Sequence, residues 1–302
     1  MIDLCTLGTG GSMPMPDRAL SSLYVRLGGR LLLVDCGEGT QTGVRKAGWG
    51  FINVDAILIT HFHADHCGGL PGFLLSIAKT HRTEPVHIYG PAGLRHVLSG
   101  LLVLCPSLPY PLVVHELHGG ETFSAIGLNI TCFPLNHSVP CLGYRFDLPR
   151  SPAFDPVKAR ALNVPLPLWK LLQRGETVEV DGRPVTPAQV TGEPRRGLSF
   201  LFATDTRPVP ALIEHGRGTD LMILEGMYGD ETKRPQALKN RHMLFEEAAD
   251  IARQAGAAAL TLTHFSTSLE EPEAYLPLAR AIFPDTSCAC DGMTMTLRYQ
   301  ER

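Results

Sequence analysis

The densest chemistry in the chain is a run of six residues, His61-Phe62-His63-Ala64-Asp65-His66. Three imidazoles and a carboxylate this close together are costly to keep for packing alone, because each buried polar group needs a partner. In a helix, side chains two positions apart, such as His61 and His63, would point to nearly opposite sides. In a loop between a strand and a helix they can converge on one point, while Asp65 and His66 turn toward a second. That pattern suits two adjacent metal ions better than one. Imidazole nitrogen with carboxylate oxygen and no thiolate suits zinc first, then manganese or iron.

A dinuclear centre needs more ligands, and a carboxylate that bridges the ions is the usual device. To reach one rim, the candidates must sit at strand ends. His137 follows the apolar run Leu128–Phe133, Asp205 follows Leu201-Phe202-Ala203-Thr204, and His264 follows Leu260-Thr261-Leu262-Thr263. Any one of them alone reads as a turn cap. Together they recur after every plausible inner strand.

The elements that must position these residues can be read from periodicity. Leu31–Val34 and Ala56–Ile59 are short apolar runs of the kind found in buried strands, and the second leads directly into the six-residue cluster. Leu70, Phe73, Leu74 and Ile77 repeat at helix spacing, as do Leu94, Val97, Leu98 and Leu101. The second half repeats the scheme, with strands near Ser199–Ala203, Leu221–Leu224 and Ala258–Thr263. A helix presenting Phe245, Ala248, Ala249 and Ala252 falls among them. Interleaved strands and helices in both halves predict an α/β sandwich with helices outside two sheets. Between the halves, from about Asp147 to Gly197, prolines are frequent and little periodicity is sustained, which reads as an insertion. Its first part, residues 147–174, carries Arg150, Lys158, Arg160, Lys170 and Arg174 against Asp147 and Asp155.

Composition limits what this site can serve. The 302 residues are 44% hydrophobic and 19% charged, a globular mix long enough for one large or two modest domains. With 27 Lys and Arg against 30 Asp and Glu, the net charge is −3, so a nucleic acid would have to meet a local basic patch. Residues 1–8 lack the basic start and apolar core of a signal peptide. No uncharged apolar run approaches the ~20 residues of a membrane span. The eight cysteines include no C-x-x-C pair and fit reduced thiols better than a disulfide framework. Cys288-x-Cys290 could touch a metal, but reads more simply as core residues of a strand. A cytoplasmic protein is expected.

His61-x-His63-x-Asp65-His66 followed by His137, Asp205 and His264 resembles the metal signature of the metallo-β-lactamase superfamily. Five further elements narrow the resemblance to the ribonuclease Z family, the tRNA 3′-processing endonucleases. They are Leu7-Gly8-Thr9-Gly10, Asp35-Cys36-Gly37-Glu38-Gly39-Thr40-Gln41, Gly69-Leu70-Pro71-Gly72, Tyr89-Gly90-Pro91 and Asp205-Thr206-Arg207. The likeness runs from Leu4 to about Asp291. The resemblance implies an αββα sandwich of two facing mixed sheets with helices outside, residues 1–302 forming one domain with an arm-like insertion at about 147–197.

It also implies roles. His61, His63 and His137 would bind one Zn²⁺, Asp65, His66 and His264 a second, with Asp205 bridging. Asp65 would also accept the proton of the attacking water. A Glu after a strand and a later His-x-Thr act in that family near the leaving oxygen. Glu225 and His242 match those positions, with Leu244 in place of the Thr and Leu224 where a His often precedes the Glu. The insertion stands where the family carries an arm that grips the tRNA elbow, which would make the five basic residues of 147–174 substrate contacts. Gly175–Val178 and Asp181-Gly182-Arg183 resemble the arm's base, and Val164-Pro165-Leu166-Pro167 replaces its Gly-Pro element. The implied activity is removal of the 3′ trailer from precursor tRNA to leave a 3′-hydroxyl, by a homodimer in which one subunit's arm serves the other's site.

Two other classes compete. One keeps the site but cleaves a small substrate, as a phosphodiesterase, arylsulfatase or thioester hydrolase would. The other is a metal-stabilised binding module without catalysis. Turnover of a generic aryl phosphodiester separates the module from both enzymes.

Overall fold

The computed structural model describes residues 1–105 and 107–299. The first eight strands are β1 (Ile2–Gly8), β2 (Ser22–Leu27), β3 (Arg30–Val34), β4 (Val54–Leu58), β5 (Val86–Pro91), β6 (Leu112–Leu117), β7 (Thr122–Ala125) and β8 (Leu128–Pro134). The remaining eight are β9 (Leu142–Arg150), β10 (Val178–Val180), β11 (Arg183–Val185), β12 (Arg195–Ala203), β13 (Leu221–Glu225), β14 (Leu260–Thr263), β15 (Thr286–Cys288) and β16 (Met293–Leu297). Helices α1 (Thr40–Ala47), α2 (Ala64–Cys67), α3 (Leu70–Ala78) and α4 (Leu94–Leu101) belong to the first half. They are followed by α5 (Pro156–Ala161), α6 (Leu166–Gln173), α7 (Pro210–Gly216), α8 (Arg234–Asn240), α9 (Phe245–Ala255) and α10 (Leu276–Ile282).

The chain forms two compact units, one of Met1–Leu148 with the chain from Leu198 onward, the other of Pro149–Gly197. In the first unit, one sheet has the order β16-β1-β2-β3-β4-β5-β6 and the other β15-β14-β13-β12-β9-β8-β7. Both are mixed. β3 through β6 pair in parallel while β16 through β3 are antiparallel. β12 through β15 are parallel while β7 through β9 are antiparallel. The expected pair of mixed sheets is therefore present.

Strand alternation builds the layers. In β3, Leu32 and Val34 enter the core between the sheets, whereas Leu31 and Leu33 meet helices on the outer face. β12 does the same on the other side, with Phe200 and Phe202 inward and Leu201 and Ala203 outward. A strand covered on both faces has to be apolar throughout, which is why these runs stood out in the sequence. Phe146 and Phe200 stack at the centre with ring centroids 4.3 Å apart and planes 4° from parallel. Outside the first sheet, α3 buries Leu70, Phe73, Leu74 and Ile77. Outside the second, α9 lays Phe245, Ala248, Ala249 and Ala252 against the outer face. The expected strands differ only at their ends: β12 begins at Arg195 rather than Ser199, and β14 at Leu260 rather than Ala258.

The second unit has a core of its own. Ala159, Val164, Leu172, Val178, Val180, Val185 and Val190 form one buried cluster, with Trp169 against its edge. Several of its prolines are placed at element starts. Pro156 and Pro167 lie in the first turns of α5 and α6, where a missing N–H costs nothing. The Asp155 carboxylate accepts from the Val157 and Lys158 amides and caps α5. β10 and β11 are joined at Asp181 and Gly182, both at positive φ, the conformation a two-residue hairpin turn requires. What read as aperiodic is a small folded unit whose elements are too short to show a period.

The inter-sheet core supplies a direct test. Replacing Phe200 by Ala removes one ring of the central stack and should cost about 3–5 kcal/mol in urea unfolding. A loss below about 1 kcal/mol would mean that the neighbours refill the space.

Candidate metal centre and active site

The six-residue cluster starts where β4 ends. Ile59 and Thr60 carry the chain to the rim, His61 and His63 occupy the loop, and Asp65 and His66 fall in the single turn of α2. Three other segments reach the same rim. His137 lies just past β8, Asp205 past β12, and His264 immediately after β14.

The structure brings all seven side chains together. His61 Nε2 is 3.0 Å from His63 Nδ1, which is 3.2 Å from His137 Nε2. On the other side His66 Nε2 is 3.1 Å from His264 Nε2, and Asp65 Oδ2 is 3.5 and 3.6 Å from those two nitrogens. Asp205 stands between the groups. Its Oδ1 is 3.8 Å from both His61 Nε2 and His137 Nε2, and its Oδ2 is 3.1 and 3.2 Å from His66 Nε2 and His264 Nε2.

These contacts fit metal ligands better than a hydrogen-bond network. Asp205 Oδ2 is buried and, despite its short approaches, has no aligned hydrogen bond. A tetrahedral ion bound at 2.0–2.1 Å holds its ligand atoms about 3.3–3.4 Å apart, close to the spacings seen here. The donor set therefore fits two divalent ions sharing Asp205.

Charge is arranged to match. Burial and the neighbouring imidazoles keep His61 far below the usual histidine range despite Asp205, and His137 falls to about 4 chiefly through burial. Both rings are neutral at pH 7 with a lone pair to offer. Burial opposes ionisation of Asp65 and Asp205, yet His264 and His66 hold both carboxyls well below their ordinary range. His66 is pushed well above its usual value, burial notwithstanding, by Asp205 and Asp35. A divalent ion would take the place of that proton.

A supporting shell aims the ligands. Asp35 Oδ2 lies 2.8 Å from His66 Nδ1, while Asp35 Oδ1 accepts the Thr60 amide at 2.8 Å and the Thr60 hydroxyl at 3.1 Å. A carboxylate on the far nitrogen of a ligand histidine fixes its tautomer and orientation. Asp35, Asp205 and His264 each adopt φ of 57–58° at a strand end. Non-glycine residues enter this region only at a cost, and here it turns three side chains into the same cleft. Ser12 donates its amide to Asp65 Oδ2 at 2.7 Å. Gly11 serves a close approach within the protein. A Cβ there would sit 2.6 Å from the His264 ring.

Beside the cluster, His242 Nδ1 lies 3.0 Å from Glu225 Oε2, and Glu225 Oε1 accepts the Thr206 amide. Burial would lower the His242 pKa, but the Glu225 carboxylate raises it to about 9. The ring is also 3.9 Å from Asp205 Oδ1. Leu244 is the N-cap of α9 and has no side-chain acceptor for the helix's first amides; Glu247 accepts the Leu244 amide at 2.9 Å, the other half of a capping box.

The other sequence candidates are more dispersed. Lys158 and Arg160 lie on α5, Lys170 on α6, Arg174 just beyond it and Arg150 at the end of β9. Lys158, Arg160, Lys170 and Arg174 are exposed. Lys158 donates to Thr191 O, and the Arg160 guanidinium lies 5.9 Å from the Trp169 ring. Cys288 ends β15, but Cys290 lies beyond it and is exposed, so the pair is not the strand core expected. Sequence reasoning gave no role to Asp35, Thr60 or Arg207, although Asp35 and Arg207 lie within the quoted family motifs.

A sandwich of this topology with paired histidine–aspartate clusters along one rim defines a metallo-β-lactamase-fold protein. The model of the beta-lactamase superfamily domain matches residues 172–265, and that of the anti-Pycsar protein Apyc1 matches residues 2–143. Ribonuclease Z of Clostridium kluyveri is 46% identical over 303 residues, covering 100% of both chains. Ribonuclease Z of Lachnoclostridium phytofermentans is 45% identical over 302 residues, covering 100% of this chain and 99% of its own. Among solved structures, human tRNase Z, short form, superposes with a TM-score of 0.70 at 25% identity, covering 98% of this chain and 99% of its own. The chain belongs to the ribonuclease Z family.

Protein reconstituted with zinc and passed through a desalting column should carry two equivalents per chain by elemental analysis. Asp35→Asn should weaken metal binding about 10–100-fold in a competitive chelator titration, because the His66 ring loses its anionic partner. Unchanged affinity would remove Asp35 from the metal's support.

Proposed function

We propose that the chain is a zinc-dependent endoribonuclease that removes the 3′ trailer from precursor tRNA and leaves a 3′-hydroxyl. The observation that carries this reading is a carboxylate-held imidazole beside two ligand trios that share one aspartate, in a chain similar to ribonuclease Z over its full length. His61, His63 and His137 would hold one ion, Asp65, His66 and His264 the other, and Asp205 both. When bound, zinc supplies Lewis acidity, lowering the pKa of water toward about 7 and offsetting charge that builds on phosphoryl oxygens, and manganese or iron could use the same donors.

The chain's own groups complete the reaction. Asp65 takes the proton of the attacking water, its Oδ2 held in place by the Ser12 amide. His242, charged and oriented by Glu225, gives a proton to the departing 3′-oxygen. Asp65 groups with His66 and His264, and His242 with Asp205 and His264, so the base and the acid both border the same ligand cluster. Arg150, Lys158, Arg160, Lys170 and Arg174 supply phosphate contacts from the insertion, which acts as an arm on the tRNA. The reading includes a homodimer in the cytoplasm. Among the described residues no helix is long and apolar enough to cross a membrane.

Incubation with a precursor tRNA and mapping of the cut tests the substrate. Replacing residues 150–174 by a Gly/Ser linker should lower tRNA affinity and flatten the salt dependence of binding, while hydrolysis of a small aryl phosphodiester survives. Unchanged tRNA binding would favour the small-substrate enzyme. His242→Ala should lower kcat on tRNA by about 10²–10⁴-fold.

A further inference from the structure

His242 is held at three points, and one of them has no role in the reading so far. Its ring meets Glu225, and its amide donates to Ala237 O at 2.9 Å. Its carbonyl accepts from Arg207 Nη1. The same guanidinium forms a two-pronged ion pair with Glu247, Nη1 donating to Oε2 at 2.8 Å and Nη2 to Oε1. Glu247 is independently secured by Arg234 Nη1 at 2.9 Å and by the Leu244 amide. Loss of the Arg207 side chain would therefore leave Glu247 paired with Arg234 and with the Leu244 amide. The contact that nothing else replaces is the one to the His242 carbonyl.

Arg207 also sits two residues after Asp205, in a segment anchored on both sides. The Arg207 amide donates to Asn136 O at 3.1 Å, and the Asn136 amide donates to the Thr206 hydroxyl at 3.0 Å. Arg241 in turn donates to His137 O. Three consecutive residues thus face three parts of the site: Asp205 both ligand trios, Thr206 the carboxylate of Glu225, and Arg207 the backbone of His242. A bidentate guanidinium suits this task, because its planar fork fixes direction as well as distance.

We propose that Arg207 is a positioning residue that sets His242 at a fixed distance from the Asp205 ligand cluster, so that the imidazole meets the leaving oxygen. The inference rests on His242 as proton donor. Its signature is a dependence on the leaving group. Departure of a ribose 3′-oxygen needs a proton, whereas departure of a nitrophenolate does not.

The experiment compares wild type, Arg207→Ala, His242→Ala and the double variant on precursor tRNA and on bis(4-nitrophenyl) phosphate, all reconstituted with zinc. Metal content and melting temperature are measured alongside. Arg207→Ala should lower kcat on tRNA about 10²-fold with KM within about threefold, and its loss on the nitrophenyl ester should be at least about 30-fold smaller. Guanidinium in the buffer should restore about tenfold on tRNA. In the His242→Ala background, Arg207→Ala should add less than about threefold, because both act through one group. Equal losses on the two substrates, or losses that multiply in the double variant, would overturn the proposal. If His242→Ala itself loses equally on both substrates, the proton-donor reading fails and takes the proposal with it. If His242→Ala shows the leaving-group dependence and Arg207→Ala does not, only the role of Arg207 fails. Arg207→Lys, which keeps the charge but not the fork, gives the same comparison if the alanine variant does not fold, and should fall between wild type and His242→Ala.

Discussion

Seven buried or nearly buried histidine and aspartate side chains crowd into one cleft, and the structure depends on what lets them stay there. Imidazole nitrogens that face each other at 3.0–3.2 Å within each trio gain little from one another. They gain a great deal from positive charge placed between them. Burying such groups without compensation is expensive, and the effective penalty is several kcal/mol for each ion. Each trio separately suits a divalent ion, and Asp205 offers one oxygen to each.

Holding these ligands requires a frame that does not yield. The two sheets provide it: His61 to His66, Asp205 and His264 follow β4, β12 and β14, whose ends are buried on both faces, while His137 follows β8, which buries one face and leaves Asn129 exposed on the other. The turn out of the strand is made with non-glycine residues at positive φ, at Asp35, Asp205 and His264. That strain is tolerated because strands, carbonyl acceptors and neighbouring loops over-determine the position. Asp205, Thr206 and Arg207 carry the same logic further. One short segment touches the histidine–aspartate cluster, the carboxylate behind His242 and the backbone of His242, so the cluster and His242 share a single mount.

Much of this was legible in the residues. His61 to His66 stood out because its donors are contiguous, and His137, Asp205 and His264 because each follows an apolar strand. The sandwich followed from runs such as Leu31–Val34, which have to be apolar on both faces. Asp35 was harder. Its partner ring is 31 positions away in sequence, and nothing local distinguishes a carboxylate that orients a histidine from one that caps a turn. Leu244 stood out only as a departure from the His-x-Thr motif, and the fold shows that it starts α9, with its amide held by Glu247. The interior of Pro149–Gly197 was hidden for a different reason. Its strands have three residues and its helices six to eight, too few to display a period, and prolines such as Pro156 and Pro167 mark starts of helices rather than their absence.

X-ray absorption at the zinc edge of the fully reconstituted protein tests the central claim most directly, because it reads the ligand atoms themselves. The account predicts a first shell of nitrogen and oxygen only, at about 2.0–2.1 Å, with no sulfur near about 2.3 Å, and a second metal at about 3.5–4 Å. A sulfur shell, or isolated ions with no metal neighbour, would contradict a dinuclear centre built on Asp205.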